Sequence, residues 1–200
     1  MNLPAIILAA GASRRLGRPK QLLDLDGETL LARTIRVARE SGADPVLVVL
    51  GADAHLISAS VPMNEVITVL NPEWQEGMAS SVRAGVRSLL SCVPDASGAI
   101  LLVCDQPRLS AAHIRALIES FRQSSESAAV ASTYSGTRGI PAIFPRLLFL
   151  RLLALTGDKG ARNILADPQC PIVEAPFAGG EIDIDSPADI DRLKESSNLL

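Results

Sequence analysis

Positively charged side chains crowd into one short segment near the start of the chain, directly after an apolar run. Residues 5–8 read Ala-Ile-Ile-Leu, and residues 9–20 read Ala-Ala-Gly-Ala-Ser-Arg-Arg-Leu-Gly-Arg-Pro-Lys. Small residues let the backbone approach a ligand closely, and successive N–H groups can then face phosphate oxygens. Arg14, Arg15 and Lys20 add positive charge to the same loop. The segment therefore favours a nucleotide-binding loop, with an ordinary turn carrying solvated arginines as the alternative.

The spacing in this segment does not fit two common nucleotide-binding motifs. A Walker P-loop needs Gly-Lys followed by Ser or Thr, whereas Pro19 precedes Lys20 and Gln21 follows it. The G-x-G-x-x-G fingerprint is also missing, which disfavours a nicotinamide-dependent oxidoreductase. The sequence also shows no Ser-His-Asp or Cys-His set for nucleophilic catalysis.

Carboxylates stand at two places where they could hold a cation. Asp105 follows the apolar run 99–103, a position suited to Mg²⁺ coordination at a strand end, although Asp is equally common in turns near Pro. Asp183 and Asp185 alternate with isoleucines in a predicted strand, so both lie on one face of it. Two carboxylates on one face suit a cation site better than a core.

The elements that must position these residues alternate along the chain. Apolar β-type runs occur at 5–8, 45–50, 66–70 and 99–103, with shorter ones at 128–132, 141–144 and 181–184. Helical patterns occur at 28–41, 53–60, 80–91, 110–123, 145–155, 158–165 and 187–194. Runs that are apolar throughout indicate parallel strands covered on both faces. We therefore expect an α/β fold, a three-layer α/β/α Rossmann-like arrangement with a mostly parallel sheet, and ligands beyond the carboxyl ends of its strands.

Capping residues mark several of the predicted helix ends. Gly42 suits a left-handed cap at the end of the first helix, and Ser110 suits an N-cap. Ser186 and Asp189 have the spacing of an N-cap and an N3 acid. Asp189 is therefore assigned a capping role and not a ligand role.

Composition limits the partners and the compartment. The 200 residues carry a formal charge of −3 with scattered Lys and Arg, which argues against nucleic-acid and membrane partners. Three cysteines, odd in number and far apart, argue for a reducing compartment. The N-terminal apolar run is too short for a signal peptide or a membrane span. We expect a single domain over residues 1–200 and a cytoplasmic location.

The charged loop resembles a known family signature. Residues 8–20 are similar to the L-A-A-G-x-S-x-R-M-G-x-x-K string of MobA-like nucleotidyltransferases, which have a GT-A-like fold and include the molybdenum cofactor cytidylyltransferases; Leu16 replaces the usual Met. Five further strings follow in the family's order: N-P-x-W-x-x-G-M-x-S-S at 71–81, C-D-Q-P at 104–107, G-x-P-x-x-F at 139–144, G-D-x-G-A-R at 157–162 and D-S-P-x-D at 185–189. The resemblance thus covers nearly the whole chain.

The resemblance implies a role for each matched residue. The nucleotide-binding residues it implies are Leu8, Ala9, Ala10, Gly11, Ser13, Arg15 and Lys20. The catalytic residues are Lys20, Arg15 and Asp105, and the Mg²⁺ ligands are Asp105 and Asp185, with Asp183 a lesser candidate. The acceptor-binding residues are Trp74, Gly77, Met78, Ser80, Ser81, Gln106, Pro141, Asp158 and Arg162.

These residues suit transfer of a nucleoside monophosphate. A phosphate monoester acceptor has a second pKa of about 6 and is largely dianionic at neutral pH, so the protein need not supply a base. The resemblance implies CTP and molybdopterin as substrates, pyrophosphate as product, and a molybdoenzyme client as a further partner. Ala10, where guanylyl-transferring relatives carry a second Gly, favours CTP. The alternatives are a relative that uses GTP or a sugar or polyol phosphate, and a carrier of the finished cofactor.

Overall fold

The computed structural model describes residues 3–184, 186 and 188–189. Its strands are β1 (Ala5–Ala9), β2 (Asp24–Leu25), β3 (Glu28–Thr29), β4 (Val46–Leu50), β5 (Ile67–Leu70), β6 (Gly98–Val103), β7 (Ala129–Tyr134), β8 (Thr137–Pro145) and β9 (Ile172–Pro176). Its helices are α1 (Leu30–Glu40), α2 (Ala54–Ser60), α3 (Met78–Cys92), α4 (Ala111–Gln123), α5 (Phe149–Leu153) and α6 (Arg162–Leu165). Short 3₁₀ turns cover Lys20–Leu22, Trp74–Glu76 and Arg146–Leu148.

Seven strands form one sheet in the order β5-β4-β1-β6-β8-β7-β9, and β2 pairs with β3 beside it. Neighbouring strands pair in parallel except at β8, which is antiparallel to both β6 and β7. Two reversals restore the original direction, so β7 and β9 run with the first four strands. The predicted mostly parallel sheet is confirmed.

Helices cover both faces of this sheet. On one face, α1, α2 and α4 pack against β-strand side chains such as Ile7 and Val48. On the other face, α3, α5 and α6 pack against side chains such as Ile6 and Leu47. All five residues of β1 are buried, as a central strand between two helical layers requires. The three-layer α/β/α arrangement is confirmed.

The strand predicted at 66–70 forms as β5, but it lies at the sheet edge and alternates between half-buried and exposed residues, with Leu70 65% exposed, so it is not covered on both faces as its apolar run predicted. Two other predicted elements are wrong. No strand forms at 181–184; instead Ile184 packs with Leu23 and Leu30, and the strand at this end of the sheet is β9. The helix predicted over 158–165 contracts to α6 because a turn with left-handed glycines precedes it.

The predicted caps agree with the structure. Ser110 accepts a hydrogen bond from the N–H of His113 at 3.2 Å, and Gly42 has a φ of 89° after α1. The Asp189 carboxylate accepts from the N–H of Ser186 at 2.7 Å, which confirms its capping role. Among the helices of the described residues, none has both the length and the apolar character needed to cross a bilayer.

Gly85 sets how closely α3 approaches the sheet. A Cβ at this position would lie 2.5 Å from Cγ2 of Ile6 and 3.2 Å from Cγ2 of Val49. Alanine improves helix propensity by about 1 kcal/mol, but forcing a methyl against a buried, stiff isoleucine costs roughly 2–3 kcal/mol. We therefore expect Gly85→Ala to lower the free energy of unfolding by about 1–2 kcal/mol in urea denaturation.

Ser91→Ala is the matched control, because Ser91 lies in the same helix and is exposed. It is expected to leave the free energy of unfolding within about 0.5 kcal/mol of the wild-type value. A Gly85→Ala protein as stable as the wild type would show that the helix and the sheet are less tightly packed than described.

Candidate active site

The loops that follow β1 and β6 meet at the carboxyl edge of the sheet. Leu8 lies opposite Val103 in the parallel pair, so the chain leaves the two strands side by side. The Lys20 ammonium reaches back from the first loop and donates to the Asp105 carboxylate. The two side chains are 20% and 18% exposed. The predicted phosphate-binding lysine and the predicted metal-binding carboxylate thus form a half-buried ion pair.

A first cleft of about 450 Å³ opens between the loop after β1 and the loop after β5. Its wall on the β1 side consists of Leu8, Ala10, Gly11, Ala12, Ser13, Arg14 and Lys20. Five of the predicted nucleotide-binding residues are therefore brought together. Ala9 is buried at the end of β1, and Arg14 lines the cleft while Arg15 is exposed next to it. The structure thus adds Arg14 to the candidate phosphate-binding residues.

The backbone of the first loop presents hydrogen-bond donors beside this cleft. In the part of the chain that the structure describes, the N–H groups of Ala10, Gly11, Ala12 and Ser13 donate to no backbone acceptor. A Cβ built on Gly11 would meet no atom within 4 Å, so the space beside it is open. The Ser13 hydroxyl accepts from the Lys20 N–H at 3.0 Å and closes the loop. Consecutive donors around open space suit an anion or the edge of a base.

A second cleft of about 560 Å³ adjoins the first at Asp105. Side chains and backbone from distant segments line it, among them Gln106, Tyr134, Gly139, Ile140, Arg162 and Asp183. Both clefts share Met78, Val103, Asp105 and Asp158. Because one carboxylate stands at the junction, two bound molecules would meet beside it.

Two loops that are far apart in sequence interlock at the rim of both clefts. Gly77 has a φ of 121°, and a Cβ on it would lie 2.0 Å from Oδ1 of Asp158, so only glycine fits there. The Ala79 N–H donates to the Gly157 carbonyl at 3.0 Å. A Cβ on Gly160 would similarly approach the Met78 sulfur to 2.8 Å. Gly77 and Gly160 are thus explained by close contact between the loops, whereas Gly157 has open space beside it and is explained by its φ of 72°.

Arg83 stabilises this rim through ion pairs and a hydrogen bond. Its side chain is 11% exposed and pairs with Glu76 at 2.6 Å and with Glu73 at 3.1 Å. The guanidinium also donates to the Leu155 carbonyl at 2.8 Å. The hydrogen bond from Arg83 lowers the pKa of the Glu76 carboxyl to about 2, so this pair stays charged across the neutral range. The sequence did not single out Arg83, which looks like an ordinary helix residue.

The predicted acceptor residues divide between the two clefts. Those on the first cleft are Trp74, Gly77 and Ser81; those on the second are Gln106 and Arg162; Met78 and Asp158 lie on both. Ser80 and Pro141 are buried instead. The Ser80 hydroxyl donates to the Gly77 carbonyl at 2.8 Å, and Ile140 takes the position on the cleft wall that was predicted for Pro141. These two residues support the walls and line neither cleft.

The residues around Asp105 suit a divalent cation in part. Asp105 and Asp183 line the same cleft, and hard carboxylate oxygens are the ligands that Mg²⁺ and Mn²⁺ prefer. The ammonium of Lys20 shows that the Asp105 carboxylate accepts a cation. The Ile184 N–H donates to the Asp105 carbonyl at 3.0 Å, which holds the C-terminal segment beside it. Asp185, the second predicted ligand, lies outside the described residues, within which no group of three potential ligands occurs.

Sequence reasoning also missed the only tyrosine of the chain. Tyr134 lies on the second cleft, and its hydroxyl donates to the Ile140 carbonyl at 3.1 Å. A Cβ on Gly139 would lie 2.1 Å from that hydroxyl. Burial, together with the charges of Asp183 and Asp105, raises the pKa of Tyr134, so the phenol stays protonated at neutral pH. The available signal was Gly139, whose missing side chain makes room for the phenol.

Comparison with known proteins identifies the family. A family model described as a MobA-like NTP transferase domain matches residues 5–172. The chain belongs to the MobA-like NTP transferase family. The crystal structure of Rv0371c from Mycobacterium tuberculosis superposes with a TM-score of 0.84 at 31% identity, covering 98% of this chain and 99% of the other. A structure of Rv0371c in complex with manganese has a TM-score of 0.78 at 29% identity, covering 98% and 100%.

Curated relatives of this chain carry names that refer to different activities. The purine catabolism protein PucB of Bacillus subtilis is 33% identical over 97% of both chains. The nicotine blue oxidoreductase of Paenarthrobacter nicotinovorans is 32% identical over 80% of this chain and 79% of its own. A probable molybdenum cofactor guanylyltransferase of Opitutus terrae is 35% identical over 72% and 66%. Family membership therefore gives the fold, whereas the two substrates must be argued from the site.

Gly11 provides a direct test of the first cleft. Its φ lies outside the left-handed region and a Cβ would touch no protein atom, so neither conformation nor packing requires glycine. We expect Gly11→Ala to keep the wild-type thermal midpoint or raise it slightly, because the substitution restricts the unfolded chain. A ligand that approaches this backbone closely should bind at least about tenfold more weakly, since a methyl group overlaps with it.

Calorimetric titration with CTP and GTP in the presence of Mn²⁺ measures this change, and the thermal midpoint serves as the internal control. Unchanged affinity for both nucleotides would mean that no ligand approaches Gly11, and the first cleft would lose its assignment.

Proposed function

We propose that this protein transfers CMP from CTP to molybdopterin and releases pyrophosphate. The observation that carries the proposal is the meeting of two clefts at Asp105, one edged by backbone donors and cationic side chains and the other by residues of five separate segments. A transferase for two substrates needs two such compartments with the reacting atoms at their junction. In this proposal the nucleotide occupies the first cleft and the acceptor occupies the second.

The residues of the first cleft would bind and neutralise the triphosphate. The free N–H groups of residues 10–13 face the nucleotide, and Lys20 and Arg14 provide positive charge for its phosphates. The Lys20 ammonium is paired with Asp105. A phosphate that enters the cleft offers the ammonium another partner, so Lys20 can pass from the carboxylate to the nucleotide and remain paired.

The reaction itself needs charge compensation more than proton transfer. An acceptor phosphate oxygen attacks the α-phosphorus of CTP in line, and the bond to the β-phosphate breaks to release pyrophosphate. Asp105 and Asp185 are the residues that would hold Mg²⁺, which supplies charge neutralisation when bound. The dianionic acceptor is already a nucleophile at neutral pH. Buried Cys104, whose pKa burial raises to about 12, takes no part.

The preference for CTP rests on a single position. Ala10 stands where guanylyl-transferring relatives carry Gly, and its carbonyl accepts from the Ala52 N–H at 3.1 Å, which fixes the wall of the first cleft. The added methyl group narrows the space for a base, and this supports a pyrimidine. GTP is the alternative nucleotide, as in the probable guanylyltransferase of Opitutus terrae.

A pyrophosphate-release assay with a panel of nucleotides tests the proposal. The four NTPs are each offered with molybdopterin, a sugar phosphate or a polyol phosphate, in Mg²⁺ and in excess EDTA. We expect release with CTP and molybdopterin, and loss of release in EDTA. Release with GTP or with another phosphate acceptor would retain the chemistry and replace the substrate. Binding of the finished molybdenum cofactor without release of pyrophosphate by any NTP would identify a carrier.

Lys20→Ala tests the assignment of charge. Removing one cationic partner of the transition state lowers turnover by about a hundredfold or more in comparable sites. The free energy of unfolding should change by no more than about 1 kcal/mol, because the ion pair with Asp105 is still partly solvated.

Arg18→Ala is the matched control for Lys20→Ala, since Arg18 is an exposed cation of the same loop, and it should keep wild-type turnover. If turnover of the Lys20→Ala protein is within about threefold of the wild-type value, the assignment is contradicted.

A further inference from the structure

Gln21 is a buried residue whose side-chain amide is hydrogen-bonded to the loop after β1. It lies in the 3₁₀ turn Lys20–Leu22 and is 1% exposed. Its Nε2 donates to the Ala9 carbonyl at 2.7 Å and to the Gly11 carbonyl at 3.0 Å. Both neighbours are acceptors only, so the amide must present its NH₂ group to them. The side chain thus bridges two carbonyls on either side of Ala10.

This bridge fixes which way the peptide groups of the loop point. In a planar trans peptide the C=O and the following N–H point in opposite directions. With the Ala9 and Gly11 carbonyls turned toward Gln21, the N–H groups of Ala10 and Ala12 are turned away from it. These are two of the donors that find no backbone acceptor in the described part of the chain, and both residues line the first cleft.

The free-energy balance at Gln21 indicates that its purpose is not to stabilise the fold. Its Oε1 is buried and finds no hydrogen-bond donor among the described residues. The penalty for burying an amide oxygen without a partner is similar in size to the net gain from one or two neutral hydrogen bonds. An apolar side chain of the same volume would fill the site without that penalty. Such an apolar side chain would, however, form no hydrogen bonds with the Ala9 and Gly11 carbonyls.

We propose that Gln21 is a positioning residue of the nucleotide site, which holds the loop after β1 with its N–H groups turned toward the cleft before any ligand binds. The proposal rests on the proposed function in one respect, namely that this cleft takes an NTP. Because the loop is ordered in advance, binding need not bear the entropy of ordering it. Without Gln21 the same residues remain, but their donors no longer converge.

Gln21→Met tests the proposal, because methionine has a similar volume and offers no N–H donor. We expect the dissociation constant of CTP with Mn²⁺, measured by calorimetry, to rise by about tenfold. In turnover assays the KM for CTP should rise while kcat and the KM for the acceptor stay near their wild-type values, as loss of uniform binding predicts. A generally destabilised protein would lower kcat through its folded fraction and would not show this division.

A ligand-free measurement separates the role of Gln21 from the identity of the ligand. Backbone ¹⁵N order parameters for residues 10–13 should be about 0.85 in the wild type and should fall below about 0.6 in Gln21→Met. The control is Gln123→Met, an exposed glutamine in α4, which should match the wild type in the order parameters, CTP affinity and thermal midpoint.

The outcomes are distinct. A looser loop with weaker CTP binding supports the proposal, and an equally rigid loop or unchanged CTP affinity overturns it. If the wild type binds no NTP, the proposed function fails, and the order parameters alone then decide whether Gln21 positions the loop.

Discussion

The parallel register between β1 and β6 brings together the two loops at the junction of the candidate site. With Leu8 opposite Val103, the cationic loop and Asp105 leave the sheet as neighbours, and the Lys20–Asp105 ion pair follows from that juxtaposition. β1 can hold this central place because apolar residues cover it on both faces. The two clefts therefore meet at the end of a buried, central strand pair, and secondary-structure elements of this kind position a site more accurately than loops do.

Two glutamines give the walls of the clefts their shape in the same way. Gln21 donates to the Ala9 and Gly11 carbonyls, and Gln106 donates to the carbonyls of Ile140 and Gly180 at 2.9 Å each. In both glutamines the Oε1 atom is buried and accepts a hydrogen bond from no donor among the described residues. An amide can join two carbonyls that cannot pair with each other. Each glutamine thus joins backbone carbonyls that are not paired with each other, Gln21 behind the first cleft and Gln106 on the wall of the second.

Ion pairs and close packing both stabilise the rim of the clefts. Lys20 pairs with Asp105 at the junction of the clefts, and Arg83 pairs with two glutamates beneath the rim, so these charged groups are held by partners of opposite sign. Close packing is provided by Gly77 and Gly160, where the loop after β5 and the loop before α6 touch. The rim is therefore ordered by contacts that are independent of a ligand, which is the condition for preorganised binding.

The sequence by itself determined the class of fold, the main parallel strands and the β1 side of the first cleft, because apolar runs and loop residues act locally: Ala10, Gly11 and Lys20 lie close together along the chain. Only the tertiary structure decided the rest. Gln21, Arg83 and Tyr134 acquire their roles from partners that no local pattern reveals, such as Leu155 and Ile140. The strand predicted at 181–184 failed for the same reason: its isoleucines alternate as a strand would, but Ile184 is buried against Leu23 and Leu30 and not in the sheet. Burial fixes which residues are apolar, whereas the element they form depends on which surface covers them.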